Sequence, residues 1–263
     1  MDAAKGASSG VLLDIDGVLY VGDEAIEGAR EALRELRRRG PVRLVTNTTS
    51  RSRREVFEHL LELGFEASME EVLTPAAMAV RHCRERGFES VALLVSERLR
   101  EDLEPLERLK RPGRQDAVIL GDLGDGFTAE VLDGAFRMLM DGAELVALQH
   151  NRYWRRADGL VLDVGAYAAA LEYATGHEAV VVGKPSPDFF KAAIADMGVQ
   201  RAVMVGDDVE ADVGGALAAG LDGILVRTGK YRDDALAASG VTPTAIADSI
   251  ADVPALLAGA SSD

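Results

Sequence analysis

The chain has 263 residues, of which 48% are hydrophobic and 28% charged, so it can bury a core for one large domain or two modest ones and is not a disordered or fibrous protein. Its 44 acidic and 29 basic residues give a net charge of −15, which disfavours nucleic acid and anionic membranes as partners. No apolar run approaches the ~18 residues of a membrane span, no secretory signal is recognisable, and the single cysteine cannot form an internal disulfide, so we expect a cytoplasmic protein.

Short apolar runs alternate with longer amphipathic segments, and this alternation predicts an α/β fold. The runs are nearly continuous and rich in β-branched residues, as expected for parallel strands that are covered on both faces. Between the first two runs, Ile26, Ala29, Leu33 and Leu36 fall on one helical face, and Gly40 ends that helix. Strands are predicted at 11–15, 42–46, 91–95, 117–120, 145–148, 160–164, 179–182, 202–205 and 223–226. Further helices are predicted at 52–63, 76–86, 128–140, 166–175, 187–197 and 210–219.

The middle of the chain differs from its two ends. It holds a densely charged stretch, SERLREDLEPLERLKRPGRQD, and no strand in it ends in a residue suited to chemistry at a core sheet. We therefore predict a doubly wound parallel-sheet core formed by residues 1–78 and 179–263, with an inserted α/β cap domain at 79–178.

Polar residues stand at the carboxyl ends of four predicted strands, where ligands bind in open parallel sheets. Lysine is rare in this chain, since most basic residues are arginine, so a lysine at such a position indicates that an amine is needed there. The four signals are Asp14 and Asp16 in VLLDIDGVLY, Thr46 in VRLVTN, Lys184 in AVVVGKPSP, and Asp207 with Asp208 in AVMVGDD.

This set of carboxylates predicts a divalent cation. Two like charges ~4 Å apart repel by ~4 kcal/mol at an effective dielectric of ~20, and a hard cation with oxygen ligands removes that cost. Magnesium with a substrate phosphate fits such a site, because phosphoryl transfer mainly requires positioning and charge neutralisation. An aspartate can be the nucleophile, a second carboxylic acid two residues later can exchange protons, and hydroxyl and ammonium groups can hold the transferring oxygens.

The same motifs, in the same order, resemble those of the haloacid dehalogenase superfamily. They are D-x-D-G-V at 14–18, T-N at 46–47, G-K-P at 183–185 and G-D-D-x-x-x-D at 206–212. The TNTTSRSR segment, the cap of roughly a hundred residues and the VGKPSPDFF stretch are similar to the class IIA members of that superfamily. The resemblance covers essentially the whole chain and implies a phosphatase with a Rossmann-like core.

The resemblance also implies a role for each matching residue. Asp14 would be the nucleophile and a metal ligand, and Asp16 would be the general acid and base and offer its backbone carbonyl to Mg²⁺. Thr46 and Asn47 would hold phosphate oxygens. Lys184 would neutralise the nucleophile and bind the phosphoryl group. The remaining aspartates would serve the cation, Asp207 as a direct ligand and Asp208 and Asp212 directly, through water or by hydrogen bonding to its ligands.

Two alternatives stay open beside a Mg²⁺-dependent phosphatase that acts on a small phosphorylated metabolite. One is hydrolysis of pyrophosphate or of phosphoramidates such as phospholysine and phosphohistidine, which the resemblance associates with class members that carry serine at the position of Asp16. This chain has the complete D-x-D pair, which favours ordinary phosphate esters as substrates. The other is a non-catalytic binding protein of the same fold, which should have lost a motif residue. The sequence does not name the substrate; Asn151, Arg152, Asp163 and Gly165 are the candidate cap contacts. A homodimer through the cap is left open.

Overall fold

The computed structural model describes residues 9–109, 113–156 and 159–259. Within these ranges the chain forms two compact units. The first contains residues 9–46, 54–73 and 184–259, and the second contains the described residues of 47–53 and 74–183. The cap boundaries 79–178 stay a prediction.

A six-stranded, wholly parallel sheet forms the centre of the first unit. Its order is β14-β13-β12-β1-β4-β5. After β1 the chain adds two strands on one side of it, and it later adds the other three strands on the opposite side. The carboxyl end of β1 therefore lies at the topological switch point, where such sheets bind ligands. The six strands are β1 (Ser9–Asp14), β4 (Val42–Val45), β5 (Val72–Leu73), β12 (Arg201–Gly206), β13 (Asp222–Val226) and β14 (Ala245–Ala247).

Helices cover both faces of this sheet, as the continuous apolar strands predicted. Successive side chains of a strand point to opposite faces, and Leu12 and Leu13 are both fully buried. Leu13 belongs to a core with Leu33 and Leu36, so the face of the first helix that the sequence predicted is the one that packs. The helices of this unit are α1 (Ala29–Arg39), α2 (Arg53–Glu62), α7 (Pro187–Met197), α8 (Gly215–Ala218), α9 (Asp233–Ser239) and α10 (Val253–Gly259).

The first helix is shorter than its apolar pattern suggested. Ile26 precedes it, and a small antiparallel hairpin of β2 (Tyr20–Val21) and β3 (Glu24–Ala25) occupies the start of the predicted segment. Gly28, with φ near +75°, stands immediately before the helix. Because that backbone conformation suits glycine and not a helix interior, the helix begins at Ala29.

The second unit has its own parallel sheet of four strands in the order β11-β8-β7-β6, with a separate antiparallel hairpin of β9 and β10. Leu94, Leu120 and Ala147 from three of the sheet strands form a core with Leu139 and Leu171 from two helices. The strands are β6 (Val91–Leu94), β7 (Ala117–Leu120), β8 (Glu144–Ala147), β9 (Tyr153–Arg156), β10 (Gly159–Leu162) and β11 (Val180–Val181), and the helices are α3 (Pro75–Glu85), α4 (Arg100–Glu107), α5 (Ala129–Met140) and α6 (Val164–Thr175). The predicted fold class, a doubly wound parallel sheet with an inserted α/β unit, is confirmed.

Two strand predictions need correction, and one helix was not predicted. The charged stretch contains a helix, α4, because Leu99, Leu103 and Leu106 recur at helical spacing and are buried; positions 110–112 of that stretch lie outside the described residues. The strand predicted at 160–164 ends at Leu162, because the Asp163 side chain accepts the N–H of Val164 and starts α6. The segment 179–182 does not join the core sheet, since β11 pairs with β8 in the second unit.

Among the described residues, no helix combines the length and the apolar character that crossing a membrane requires.

Candidate active site

Asp14 is the last residue of β1, a central strand, and its side chain is almost fully buried. One carboxylate oxygen, Oδ1, accepts the backbone N–H of Ile15 at 2.8 Å and lies 2.8 Å from the ammonium of Lys184. Both of these contacts use Oδ1, and neither uses the other oxygen, Oδ2. They anchor one oxygen of the carboxylate and leave the second to serve as the predicted nucleophile.

Asp16 differs from Asp14 in that it is exposed. It lies in the short loop after β1, which is closed by the Gly17 N–H donating to the Tyr20 carbonyl at 2.7 Å. Its carboxylate is not part of the buried acidic cluster. An exposed carboxyl is open to solvent and to a substrate, as the predicted role of general acid and base requires.

Thr46 follows β4, the strand next to β1, directly after the residue that is paired with Asp14. The Thr46 side chain is buried, and its N–H donates to the carbonyl of Leu73 at 3.2 Å, which fixes the end of β4 against β5. Asn47, the other predicted phosphate contact, is half-buried and is the first residue grouped with the second unit.

The acidic residues after β12 are held by an unusual turn of helix. Asp208 precedes a six-residue π-helix, Val209–Gly214, and its carboxylate accepts the N–H groups of Glu210 and Ala211. In return, the Asp208 N–H donates to Asp212 Oδ2 at 3.1 Å. A Cβ on Gly206 would lie 2.2 Å from the Cβ of Asp212, so only glycine lets the chain fold back this closely. The G-D-D-x-x-x-D spacing therefore buries Asp207 and Asp212 beside the end of β12.

Lys184 is buried, and its ammonium lies between two carboxylates, 2.8 Å from Asp14 and 2.6 Å from Asp212. The sequence predicted that the strand before Lys184 belongs to the core sheet. That strand, β11, instead pairs with β8 in the second unit, and Lys184 is the first residue of the chain's last segment in the first unit. Its side chain nevertheless joins the carboxylates at the end of β1.

The cluster carries more negative charge than Lys184 balances. Burial raises the pKa of Asp14 to about 6, against the attraction of Lys184. Burial also raises the pKa of Asp207, with repulsion from Asp212 adding to the effect, and the pKa of Asp212, with repulsion from Asp14 adding to it. Burial alone would lower the pKa of Lys184, but Asp14 and Asp212 outweigh it and raise the pKa. Carboxylates that are buried and repel one another bind protons more tightly than usual, unless a bound cation neutralises their charge instead.

The donor set fits a hard divalent cation. One carboxylate oxygen from each of Asp14, Asp207 and Asp212 lies within 4.8 Å of the other two. Asp207 Oδ1 is buried and has no hydrogen-bond partner among the described residues, and such an oxygen is costly unless a ligand meets it. Oxygen donors alone are what Mg²⁺ and Ca²⁺ prefer. The cluster thus contains Asp212 in addition to the two predicted carboxylate ligands.

Sequence reasoning missed the contribution of Lys230. Its backbone N–H donates to Asp207 Oδ2 at 2.7 Å, and its ammonium lies 3.4 Å from Asp208 Oδ2. Burial opposes ionisation of Asp208, but Lys230 and the N–H of Ala211 outweigh it and lower the pKa of that carboxyl. The signal that could have found Lys230 is its rarity, because it is one of few lysines in a chain whose basic residues are mostly arginine.

The candidate cap contacts form one local group within the second unit. Asp163 donates its N–H to the carbonyl of Arg152, and Gly165 donates its N–H to the carbonyl of Asn151. A Cβ on Gly165 would lie 2.6 Å from the Asn151 oxygen, so the contact requires glycine. The Asp163 carboxylate also accepts the side-chain amide of Gln149, which is buried and which the sequence had not singled out. Their role as substrate contacts stays a prediction.

Cys83 is excluded as a nucleophile. It is fully buried in the second unit, where burial, with a contribution from Glu144, raises the pKa of its thiol to about 12. Because the thiolate is the reactive form, the native protein is expected not to react with a thiol-specific disulfide reagent at pH 8, whereas the urea-unfolded chain should react fully. Cys83→Ala should keep its activity. Rapid stoichiometric labelling of the native protein would contradict this prediction.

Two family models match the chain. The model described as haloacid dehalogenase-like hydrolase matches residues 11–107, which include Asp14, Asp16 and Thr46. A second one, described as HAD-hydrolase-like, matches residues 181–253, which include Lys184 and the acidic residues after β12.

Curated relatives match over most of their length. The chain is 42% identical to haloacid dehalogenase-like hydrolase domain-containing protein 2 of Bos taurus over 233 residues, which are 88% of each protein. It is 44% identical to phospholysine phosphohistidine inorganic pyrophosphate phosphatase of Bos taurus over 232 residues, which are 85% of this chain and 84% of that protein.

Solved structures share the fold. A 4-nitrophenylphosphatase of Thermotoga maritima superimposes with a TM-score of 0.86 at 26% identity and covers 94% of this chain and 97% of that one. The glycerol phosphate phosphatase of Mycobacterium tuberculosis in complex with magnesium superimposes with a TM-score of 0.80 at 32% identity and covers 93% of this chain and 75% of that one.

Proposed function

Because the chain belongs to the haloacid dehalogenase-like hydrolase family and is a phosphatase of that family, we propose that it hydrolyses a small phosphorylated metabolite in a Mg²⁺-dependent reaction that passes through an aspartyl-phosphate. One observation carries the proposal: the Asp14 carboxylate is buried, and its contacts with the Lys184 ammonium and the Ile15 N–H both use Oδ1 and not Oδ2. No motif residue is lost, which argues against a non-catalytic binding protein.

Magnesium is the proposed cofactor. Asp14 and Asp207, with the backbone carbonyl of Asp16, would hold it, and Asp208 and Asp212 would support it directly, through water or by hydrogen bonds to its ligands. When bound, the ion supplies Lewis-acid polarisation and neutralises charge on the phosphoryl oxygens. The buried, unpartnered Asp207 Oδ1 and the cluster's excess negative charge support this assignment.

The chain's own residues account for two steps. In the first, Oδ2 of Asp14 attacks phosphorus and forms an O–P bond, the bond to the leaving oxygen breaks, and Asp16 protonates that oxygen. In the second, Asp16 takes a proton from water, the water oxygen attacks phosphorus, and the bond to Asp14 breaks and releases inorganic phosphate. Lys184 balances charge on Asp14 and the phosphoryl group, and Thr46 with Asn47 holds phosphate oxygens.

Asp16→Asn tests the proton-transfer role. The variant is expected to bind Mg²⁺ and substrate but to turn over ~10²–10⁴-fold more slowly, since asparagine cannot donate or accept the proton. The first step should slow less with p-nitrophenyl phosphate than with glycerol phosphate, because nitrophenolate leaves without protonation. Pre-steady-state release of the leaving group measures that step. An equal loss for both substrates would argue against protonation of the leaving oxygen by Asp16.

Removal of the metal tests the cofactor. Excess chelator is expected to abolish turnover, and Mg²⁺ added after dialysis should restore it. Ca²⁺ should bind but support the reaction poorly, because its looser and higher coordination does not hold the in-line geometry. Initial rates measured across a titration of each ion show which ion supports turnover. Full activity in excess chelator would contradict a metal-dependent reaction.

A second candidate function is cleavage of P–N or P–O–P bonds. The identity of 44% to a protein named for phospholysine, phosphohistidine and pyrophosphate favours it, while the complete D-x-D pair favours phosphate esters. A panel of phosphorylated metabolites with pyrophosphate and phospholysine, each assayed with Mg²⁺ for kcat/KM, separates the two. The ester proposal expects the highest kcat/KM for a phosphate monoester; a preference for pyrophosphate or phospholysine by more than tenfold would select the second candidate.

A further inference from the structure

The loop that follows β13 reaches the carboxylate of Asp207 from the side. The backbone N–H of Lys230 donates to Asp207 Oδ2 at 2.7 Å. Two residues earlier, the Thr228 hydroxyl donates to the carbonyl oxygen of Gly17 in the loop after β1. These two hydrogen bonds join the loops after β1 and β13 around a residue that follows β12, which lies between those strands in the sheet.

Two glycines pack their backbones directly against the same oxygen. A Cβ on Gly17 would lie 1.9 Å from Asp207 Oδ2, and a Cβ on Gly229 would also lie 1.9 Å from it and 2.6 Å from the Gly17 Cα. Both glycines have positive φ, +85° and +59°, a backbone conformation that other residues rarely adopt. We call Gly17, Thr228, Gly229 and the Lys230 N–H the Asp207 cradle.

The cradle treats the two oxygens of Asp207 unequally. Oδ2 is enclosed by two glycine backbones and accepts an N–H, while Oδ1 is buried without a hydrogen-bond partner among the described residues. A half-turn of the carboxylate only exchanges two equivalent oxygens, but any smaller rotation would break the bond to Lys230. The side chain is therefore held with one oxygen against the Lys230 N–H and the other buried without a hydrogen-bond partner among the described residues.

We propose that the Asp207 cradle is a positioning device that locks this carboxylate in the one orientation that serves a divalent cation, with Gly229 and Thr228 as its positioning residues. The proposal rests on the proposed function, in which Asp207 is a metal ligand. Groups that hydrogen-bond to a metal ligand fix its orientation, and their loss typically weakens metal binding ~10–100-fold.

The backbone N–H and the side-chain ammonium of Lys230 have opposite effects on the affinity of the site for a cation. The N–H holds Asp207 and so favours binding, whereas the ammonium lies close to the acidic cluster and repels a second cation. Lys230→Ala keeps the N–H and removes the charge, so it should bind Mg²⁺ equally or more tightly. Variants with a damaged cradle should bind Mg²⁺ more weakly. The direction of the change in Mg²⁺ affinity therefore separates the effect of the backbone from that of the ammonium.

The test is calorimetric titration of the full chain with Mg²⁺ alone, together with thermal unfolding. Gly229→Ala places a methyl group against Asp207, and Gly240→Ala is the matched control, because Gly240 has φ +69° and open space around its Cβ position. Thr228→Val removes the hydroxyl donor, and Thr228→Ser restores it. We expect Gly229→Ala to weaken Mg²⁺ binding by at least about tenfold and Thr228→Val to weaken it too, while Thr228→Ser and Gly240→Ala match wild type.

Two results overturn the proposal. If wild type binds Mg²⁺ and both cradle variants bind it as tightly as Gly240→Ala, the cradle does not position the ligand, and the proposed function stands. If wild type binds no divalent cation, the proposed function fails and this inference fails with it. Should Gly229→Ala not fold, the comparison of Thr228→Val with Thr228→Ser decides, since valine matches threonine in shape.

Discussion

Asp14→Asn is expected to lose essentially all turnover, by about 10⁴-fold or more, because the loss of a covalent nucleophile leaves only binding and electrostatic stabilisation. The fold should survive. An asparagine oxygen can still accept the Ile15 N–H, and the substitution removes one negative charge from a cluster that holds too many. Burial has raised the pKa of Asp14 to about 6, above its usual value, so ionisation of Asp14 weakens the metal-free fold as the pH rises through that range.

The measurement is kcat alongside the midpoint of thermal unfolding without metal. The midpoint of Asp14→Asn at neutral pH should equal or exceed that of wild type. Asp188→Asn is the matched control, because that carboxylate is exposed and should be neutral for both quantities. Turnover in Asp14→Asn above a tenth of the wild-type rate would show that Asp14 is not the nucleophile.

Lys184→Met is expected to reduce both stability and activity. Removal of one partner from a buried ion pair leaves an uncompensated buried charge and typically costs about 3–5 kcal/mol of unfolding free energy. Here the ammonium faces two carboxylates, so both Asp14 and Asp212 lose their counter-charge. The pKa of Asp14 should rise further, and a protonated carboxyl is no nucleophile, so we expect kcat to fall by more than about 10³-fold.

The pH dependence identifies the cause. Unfolding free energies from urea titrations at pH 7 and pH 5 should show a larger deficit of Lys184→Met at pH 7, because the carboxylates with raised pKa take up protons as the pH falls and no longer need the ammonium. Adding Asp212→Asn to Lys184→Met should recover part of the stability and none of the activity. Full catalytic recovery in the double variant would contradict the role of Lys184 at the phosphoryl group.

Much of the candidate site could be predicted from the sequence because strand ends are easy to recognise. Asp14, Thr46 and Asp207 follow continuous apolar runs, and parallel strands of one sheet place such residues at one edge. The spacing between Asp207 and Asp212 was visible as a motif. The reason for that spacing was not, because a π-helix and a glycine that admits the Asp212 side chain leave no periodic signal.

What the sequence could not show depends on contacts between distant segments. The strand before Lys184 looks like any other apolar run, and its membership of the second sheet is set by pairing with β8. The hydrogen bond from Lys230 to Asp207 uses a backbone N–H, which every residue but proline has. In the sequence, Gly229 looks like any glycine in a turn. Only the folded structure shows that Oδ2 of Asp207 lies beside it.

The most direct test of the central claim is to trap phosphate on Asp14. Wild-type enzyme with Mg²⁺ is mixed with ³²P-labelled substrate and quenched in acid within one turnover, when an acyl phosphate should be present. We expect label that is stable to acid and released by hydroxylamine, with the hydroxamate located on Asp14 by mass spectrometry and absent from Asp14→Asn. Active wild-type enzyme that carries no label at any quench time, together with retained turnover in Asp14→Asn, would contradict the aspartyl-phosphate and leave direct attack by water.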